Sequence, residues 1–164
     1  MKTLLIVYHS MTTGTQQLCE AVCEGAEASD EAVRVRLLHA PAAQPDDVLT
    51  ADAYVFATPE NLAAIAGLMK DFFDRCYYPA LGQLNGRPVH LMVCAGTDGS
   101  SALAQMQRIC KGWRLREVIP GRIVCTQAST EEAILATKVI SDSVLSECRE
   151  TGEAMATGLS MGVF

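Results

Sequence analysis

Residues 3–26 read TLLIVYHSMTTGTQQLCEAVCEGA. Four consecutive apolar residues, Leu4 to Val7, lead through Tyr8 into a corner that holds four hydroxyls, one glycine and no lysine or arginine. After the corner, Leu18, Cys19, Val22, Cys23 and Ala26 recur at helical spacing. A buried strand therefore feeds an amphipathic helix through a small polar turn, and the alternation this unit begins decides the fold.

The alternation continues to the end of the chain. Strands are expected at 3–8, 33–38, 53–58 and 88–95, and a fifth over 114–126 that Pro120-Gly121 interrupts. A second helical stripe runs through Leu62, Ile65, Met69, Phe72, Phe73 and Cys76. A third runs through Ala102, Leu103, Met106, Ile109 and Cys110, and a fourth through Ala136, Ile140, Val144 and Cys148. Residues 39–52, HAPAAQPDDVLTAD, have the Pro and Asp content of a loop with at most one helical turn. Near-continuous apolar strands need cover on both faces, and the intervening helices supply it. The expectation is an α/β fold, a doubly wound five-stranded parallel sheet with strand order 2-1-3-4-5 and helices on both faces. No repeat or interdomain linker divides residues 1–164, so one domain is expected.

Composition narrows the function. Of 164 residues, 49% are hydrophobic and 20% charged, the balance of a packed domain. A chain this long buries about two-thirds of its unfolded surface. The net charge of −6 and the lack of a Lys/Arg cluster argue against nucleic acid. Neither a signal segment nor a run long enough for a membrane span is present in the sequence, so a cytoplasmic protein is expected. The seven cysteines form no CxxC pair and read as reduced core thiols, not as a metal site.

In an open α/β sheet, ligands sit beyond the carboxyl ends of the strands at the point where strand order reverses. Three loops qualify: HSMTTGT after the first strand, TPENLAAIAG after the third and AGTDGSS after the fourth. In the first, Ser10, Thr12, Thr13 and Thr15 offer hydroxyls and Gly14 permits close backbone approach. Set at a helix N-terminus, they suit a phosphate without a lysine; one hydroxyl alone would serve as a cap. Two rival loops are absent, since the chain has neither GxxxxGK[ST] nor GxGxxG, and the second strand ends in Leu38-His39 instead of an acid for an adenosine ribose. The first strand also lacks the acidic pair of a receiver-type switch. A mononucleotide with a terminal monophosphate remains. Thr58-Pro59-Glu60 has the form of a helix start, and Asn61 stands where a ring attached to the phosphate would lie.

These three loops, in this order and spacing, resemble the flavodoxin-like superfamily, and within it the NAD(P)H-dependent FMN reductase and quinone reductase branch. The family's [ST]-x-T-G-x-T loop is matched by Ser10-Met11-Thr12-Thr13-Gly14-Thr15, except that Thr13 falls where the glycine is expected. The resemblance covers essentially the whole chain. It implies FMN phosphate on Ser10, Met11, Thr12, Thr13, Gly14 and Thr15, and the flavin ring between Pro59, Glu60, Asn61 and Leu62 on one side and Ala95, Gly96, Thr97, Asp98 and Gly99 on the other. Tyr77 and Tyr78 have two readings, contact with the ring or a partner subunit's site, and packing at a helix end. Glu60 and Asp98 are either charges near the ring or solvated loop charges.

The resemblance further implies an oxidoreductase with NAD(P)H as cosubstrate and a quinone-like or other small-molecule electron acceptor as partner, the flavin carrying the chemistry and no side chain acting as catalyst. A homo-oligomer is compatible with it, because such reductases often build the nicotinamide pocket across a dimer interface. The alternative is a flavodoxin-type electron carrier without its own NAD(P)H activity. Aromatics at 5%, and a single tryptophan far from the first two loops, favour an exposed ring. A flavin-free scaffold on the same fold is the third class.

Overall fold

Strand β1 (Lys2–Tyr8) is central because both of its faces are apolar: Leu4 and Ile6 enter one core layer, Leu5 and Val7 the other, and all four are fully buried. The computed structural model describes residues 1–29 and 32–164. After β1 come α1 (Gly14–Ser29), β2 (Val33–His39), α2 (Pro45–Thr50), β3 (Ala53–Asn61), β4 (Ala64–Ile65), α3 (Gly67–Ala80) and β5 (Pro88–Ala95). Beyond these lie α4 (Ser100–Gly112), β6 (Arg116–Glu117), β7 (Arg122–Cys125), α5 (Glu131–Leu135) and α6 (Asp142–Met161).

The sheet runs β2-β1-β3-β5, with β6 and β7 sharing the position beyond β5, and every one of these pairs is parallel. Counting that interrupted edge as one strand, the expected 2-1-3-4-5 order is observed. Helices α1 and α6 cover one face and α2, α3 and α4 the other. The second layer is built on edge-to-face aromatic contacts, Phe56 with Phe73 at 5.3 Å and Phe73 with Trp113 at 5.4 Å between centroids.

Local structure departs from expectation in three places. Thr58-Pro59-Glu60 does not start a helix. Strand β3 continues to Asn61, turns at Leu62-Ala63 and returns as β4, pairing Glu60 with Ile65 and Asn61 with Ala64. Helix α3 begins only at Gly67, so its buried stripe is Met69, Phe72, Phe73 and Cys76, without Leu62 and Ile65. The Thr58 hydroxyl does cap a backbone amide, but that of Ala66 at 3.0 Å, where the hairpin closes. Second, residues 136–140 are not helical, because the backbone groups of Lys138 and Ile140 are engaged by the β1–α1 corner; α6 carries Val144 and Cys148 but not Ala136 or Ile140. Third, α2 is six residues long, slightly more than the single turn expected. Asp47 folds back to accept the Gln44 amide at 2.8 Å, and Pro45 pre-sets the first turn.

All seven cysteines are free, and five of them are buried. No helix among the described residues is long and apolar enough to cross a membrane.

Helices α1 and α6 approach until backbone touches backbone. A Cβ on Gly25 would collide with the Arg149 carbonyl, and one on Gly152 with the Val22 carbonyl. Neither obstacle is a flexible side-chain end, so the helices must separate if either glycine gains a methyl group. Gly152→Ala should cost about 1–3 kcal/mol and lower the melting temperature by about 3–10 °C. Gly112→Ala on α4, where a Cβ would meet nothing within 4 Å, should leave it unchanged or higher. Circular dichroism melts check both.

His90 in β5 is 1% exposed. Its Nδ1 lies 3.3 Å from the Ile119 carbonyl oxygen, and its Nε2 has no partner among the described residues. Burial above all lowers its pKa below the usual 6.5, and burial followed by the neighbouring His39 does the same for His9. A depressed histidine pKa means that the unfolded chain takes up protons first as pH falls. Stability from both groups is therefore full above the unfolded value near 6.5 and is lost as pH drops towards the folded values. Urea denaturation should show a lower midpoint at acidic than at neutral pH, and His90→Leu should flatten that dependence.

Candidate functional site

The carboxyl ends of β1, β3, β5 and β7 frame a cleft of about 550 Å3, within the range of small-molecule sites. All three loops selected by strand order contribute to it.

The floor is the β1–α1 corner, where Ser10, Met11, Thr12, Gly14 and Thr15 line the cleft. Thr13 does not; it holds φ +69, the left-handed conformation that a glycine would take freely. The chain thus keeps the geometry of the glycine it lacks. The cost is offset by the threonine's own bonds, since its hydroxyl donates to the Lys138 carbonyl at 3.4 Å and accepts from Gln17 Nε2 at 3.1 Å. Helix α1 then starts at Gly14, where a Cβ would stand 2.7 Å from Cys94 Sγ. Close packing, as much as access for a ligand, requires this glycine. Thr15 is 2% exposed, lines the cleft, and its hydroxyl has no hydrogen-bond partner among the described residues. A buried hydroxyl left so costs about 1–3 kcal/mol, and a ligand oxygen in the cleft would satisfy it.

One wall is the β3–β4 hairpin, through Pro59, Glu60, Asn61 and Leu62. Leu62 and Ala63 hold φ +51 and +62, the two positive values of a tight hairpin turn that normally selects Asn-Gly. Leu62 is fully exposed at the tip. The hairpin is braced from behind, where the Ile65 amide donates to Gln105 Oε1 of α4 at 3.0 Å.

Ala95, Gly96 and Thr97 form the opposite wall. Asp98 and Gly99 lie outside the lining. Asp98 accepts the Ser100 amide at 3.1 Å at the start of α4, and hydrogen bonding to Ser100 holds its carboxyl below the usual range. Gly99 has φ +86, and a Cβ there would strike Ile123. Both serve the loop's fold.

Sequence patterns missed one side of the cleft. Thr126 and Ala128 enter because Gly96 packs against the Ala128 carbonyl and its own carbonyl accepts the Gln127 amide at 2.7 Å. Ile134, Leu135 and Lys138 come from α5 and the segment after it. Lys138 is a cation at the corner that had none in sequence. Its amide donates to the Thr12 carbonyl at 2.8 Å, and its carbonyl accepts from Gln17 Nε2 at 2.7 Å. Cys94 also lines the cleft; burial pushes its thiol up to about 11, so it is a neutral packing group.

Tyr77 and Tyr78 pack on each other at 5.1 Å near the end of α3 and do not line the cleft. Trp113 lies in the core layer behind β3. Among the described residues that line the cleft, none is aromatic.

A helix N-terminus, a row of hydroxyls and a buried hydroxyl in want of a partner can hold an anionic group, with room beside it for a ring between two walls. This is the ligand end of a doubly wound nucleotide-binding protein. The family model of NADPH-dependent FMN reductases matches residues 38–128, more than half of the chain, and the chain belongs to that family. Membership carries FMN as cofactor. A flavodoxin of Aquifex aeolicus (strain VF5) is 36% identical over 87 residues, 53% of this chain and 46% of that protein. An NAD(P)H dehydrogenase (quinone) of Acidithiobacillus ferrooxidans is 33% identical over 94 residues, 46% of this chain and 47% of that protein. These matches span about half the length of each relative. A solved flavodoxin from the domain Archaea superposes with a TM-score of 0.77 at 17% identity, covering 96% of this chain and 99% of its own. A flavodoxin, WrbA-like protein from Agrobacterium tumefaciens gives 0.74 at 17%, covering 98% and 99%. The fold is flavodoxin-like. The family match begins after α1, so the β1–α1 corner rests on its geometry.

Thr15→Val removes the unpartnered hydroxyl at nearly constant shape. The ligand-free protein should gain about 1 kcal/mol, seen as a higher melting temperature. A lower one would mean that the hydroxyl is already bonded.

Proposed function

We propose that the protein is an FMN-dependent NAD(P)H oxidoreductase that passes two electrons to a quinone-like or other small acceptor, with residues 1–164 acting as one domain. The observation that carries this reading is the cleft lining: polar at the α1 end, and without an aromatic side chain among its described residues. A nicotinamide needs to reach one face of the flavin, and an aromatic cover would block it.

The site residues fit the cofactor. Backbone amides at the start of α1, with the hydroxyls of Ser10, Thr12 and Thr15, would hold its phosphate, the Thr15 hydroxyl acquiring the partner it lacks. The hairpin residues Pro59 to Leu62 and the Ala95–Thr97 turn would hold the ring between them. Bound FMN supplies the hydride chemistry. The protein's contribution is orientation of the flavin, in a cleft without aromatic cover among its described residues, so that nicotinamide and acceptor can reach the ring in turn.

The flavodoxin of Aquifex aeolicus supports a second reading, an electron carrier reduced only by a partner. Anaerobic titration of the FMN-loaded protein separates the two. Bleaching of the visible flavin absorbance by NADH or NADPH alone, followed by reoxidation with a quinone, is expected. No reduction by either nucleotide would leave the carrier, and no bound-flavin absorbance after FMN supplementation would overturn both. Thr12→Val with Thr15→Val should weaken FMN binding by about tenfold or more, measured by quenching of flavin fluorescence.

A further inference from the structure

We propose that Lys138, from the segment between α5 and α6, is the cationic component of the phosphate site and makes the protein prefer the phosphorylated flavin over its dephosphorylated form. This rests on the FMN reading above.

Charge balance raises the need. A phosphate monoester carries about −1.5 to −2 at neutral pH, whereas a helix N-terminus offers about half a positive charge. Hydroxyls add hydrogen bonds but no charge. Among the described residues that line the cleft, Lys138 is the only Lys or Arg.

Its position is fixed by backbone, not by the side chain. The amide is bonded to the Thr12 carbonyl at 2.8 Å, and the carbonyl to Gln17 Nε2 at 2.7 Å and the Thr13 hydroxyl at 3.4 Å. The aliphatic stem therefore starts directly over the first residue of α1: a Cβ on Gly14 would stand 3.4 Å from both Cβ and Cγ of Lys138. The side chain lines the same cleft as the buried, unpartnered Thr15 hydroxyl. Its ammonium rests on two neutral acceptors, the carbonyls of Ile134 at 2.9 Å and Ala136 at 2.5 Å, and it joins none of the ion pairs among the described residues. Glu60 is the other charged side chain of the lining and belongs to the hairpin wall. The ammonium is thus free to exchange carbonyl partners for phosphate oxygens by rotation of its own stem.

The test measures dissociation constants of FMN and riboflavin for wild type, Lys138→Met and Lys138→Arg by quenching of flavin fluorescence, each at low and high salt. Lys138→Met keeps the stem and all three backbone bonds. It should weaken FMN by about tenfold or more, leave riboflavin within about twofold, and flatten the salt dependence of FMN binding. Lys138→Arg should restore most of the loss. Equal weakening of both flavins would mean that Lys138 only supports the pocket, and no change in either would mean that the ammonium does not reach the phosphate; each result overturns the proposal. Failure of wild type to bind FMN would overturn the FMN reading itself, a result distinct from these.

Discussion

Helix α1 can present its N-terminal amides to the cleft only if its axis is fixed at both ends, and the two ends are fixed by different means. At the far end, Gly25 packs on the Arg149 backbone and Gly152 on that of Val22 and Ala26, which locks α1 against α6 at both glycines. At the near end, the chain leaves β1, turns through a left-handed Thr13 and is clamped by Gln17, whose side chain bonds the Lys138 carbonyl at 2.7 Å and the Ile140 amide at 3.3 Å. Contact between bare backbones tolerates little sliding, and a clamp of several hydrogen bonds tolerates little rotation. The helix dipole is therefore aimed, and the remaining parts of the cleft are arranged around a fixed point.

The sheet supplies the other constraint. Central strands buried on both faces leave polar atoms unpaired only at their ends, so the loops there inherit all the chemistry the layer can support. β3 uses this freedom by running past the core and folding back as a hairpin, which puts a rigid, braced wall where a simple loop would be mobile. β5 stops at Ala95 and turns at Gly96 so tightly that the Ala128 carbonyl packs against its backbone. One wall is stiffened by cross-strand pairing and the other by contact with the segment after β7.

The layers and strand order were legible because hydrophobic periodicity reports burial, and burial dictates them. The hairpin was not, because its turn is Leu62-Ala63, two residues that do not ordinarily accept positive φ, and because Thr-Pro-Glu carries the local chemistry of a helix start. Only tertiary packing, with Gln105 on the far side, decides the outcome. The three loops at the strand ends were legible from topology. Lys138 was not: no local pattern marks it, and its bonds to Thr12, Thr13 and Gln17 span most of the chain. Conversely, Asp98 and Gly99 looked like ligand groups, yet the need to start α4 already accounts for both.

Several local costs gather around the cleft. Thr13, Leu62 and Ala63 hold positive φ, as does Gln127 between Thr126 and Ala128, and Thr15 buries a hydroxyl without a partner; elsewhere among the described residues Arg114 is the other non-glycine with positive φ, and His90 Nε2 the other unpartnered buried side-chain atom. Strain of about 1–3 kcal/mol per residue persists only where surrounding structure enforces it. Here the Gln17 clamp enforces it at Thr13, and the cross-strand pairs enforce it at the hairpin. Because the bracing lies outside the cleft, the corner and the hairpin keep their places on either side of it, and a ligand that bonds the Thr15 hydroxyl offsets a cost already met in folding the empty site.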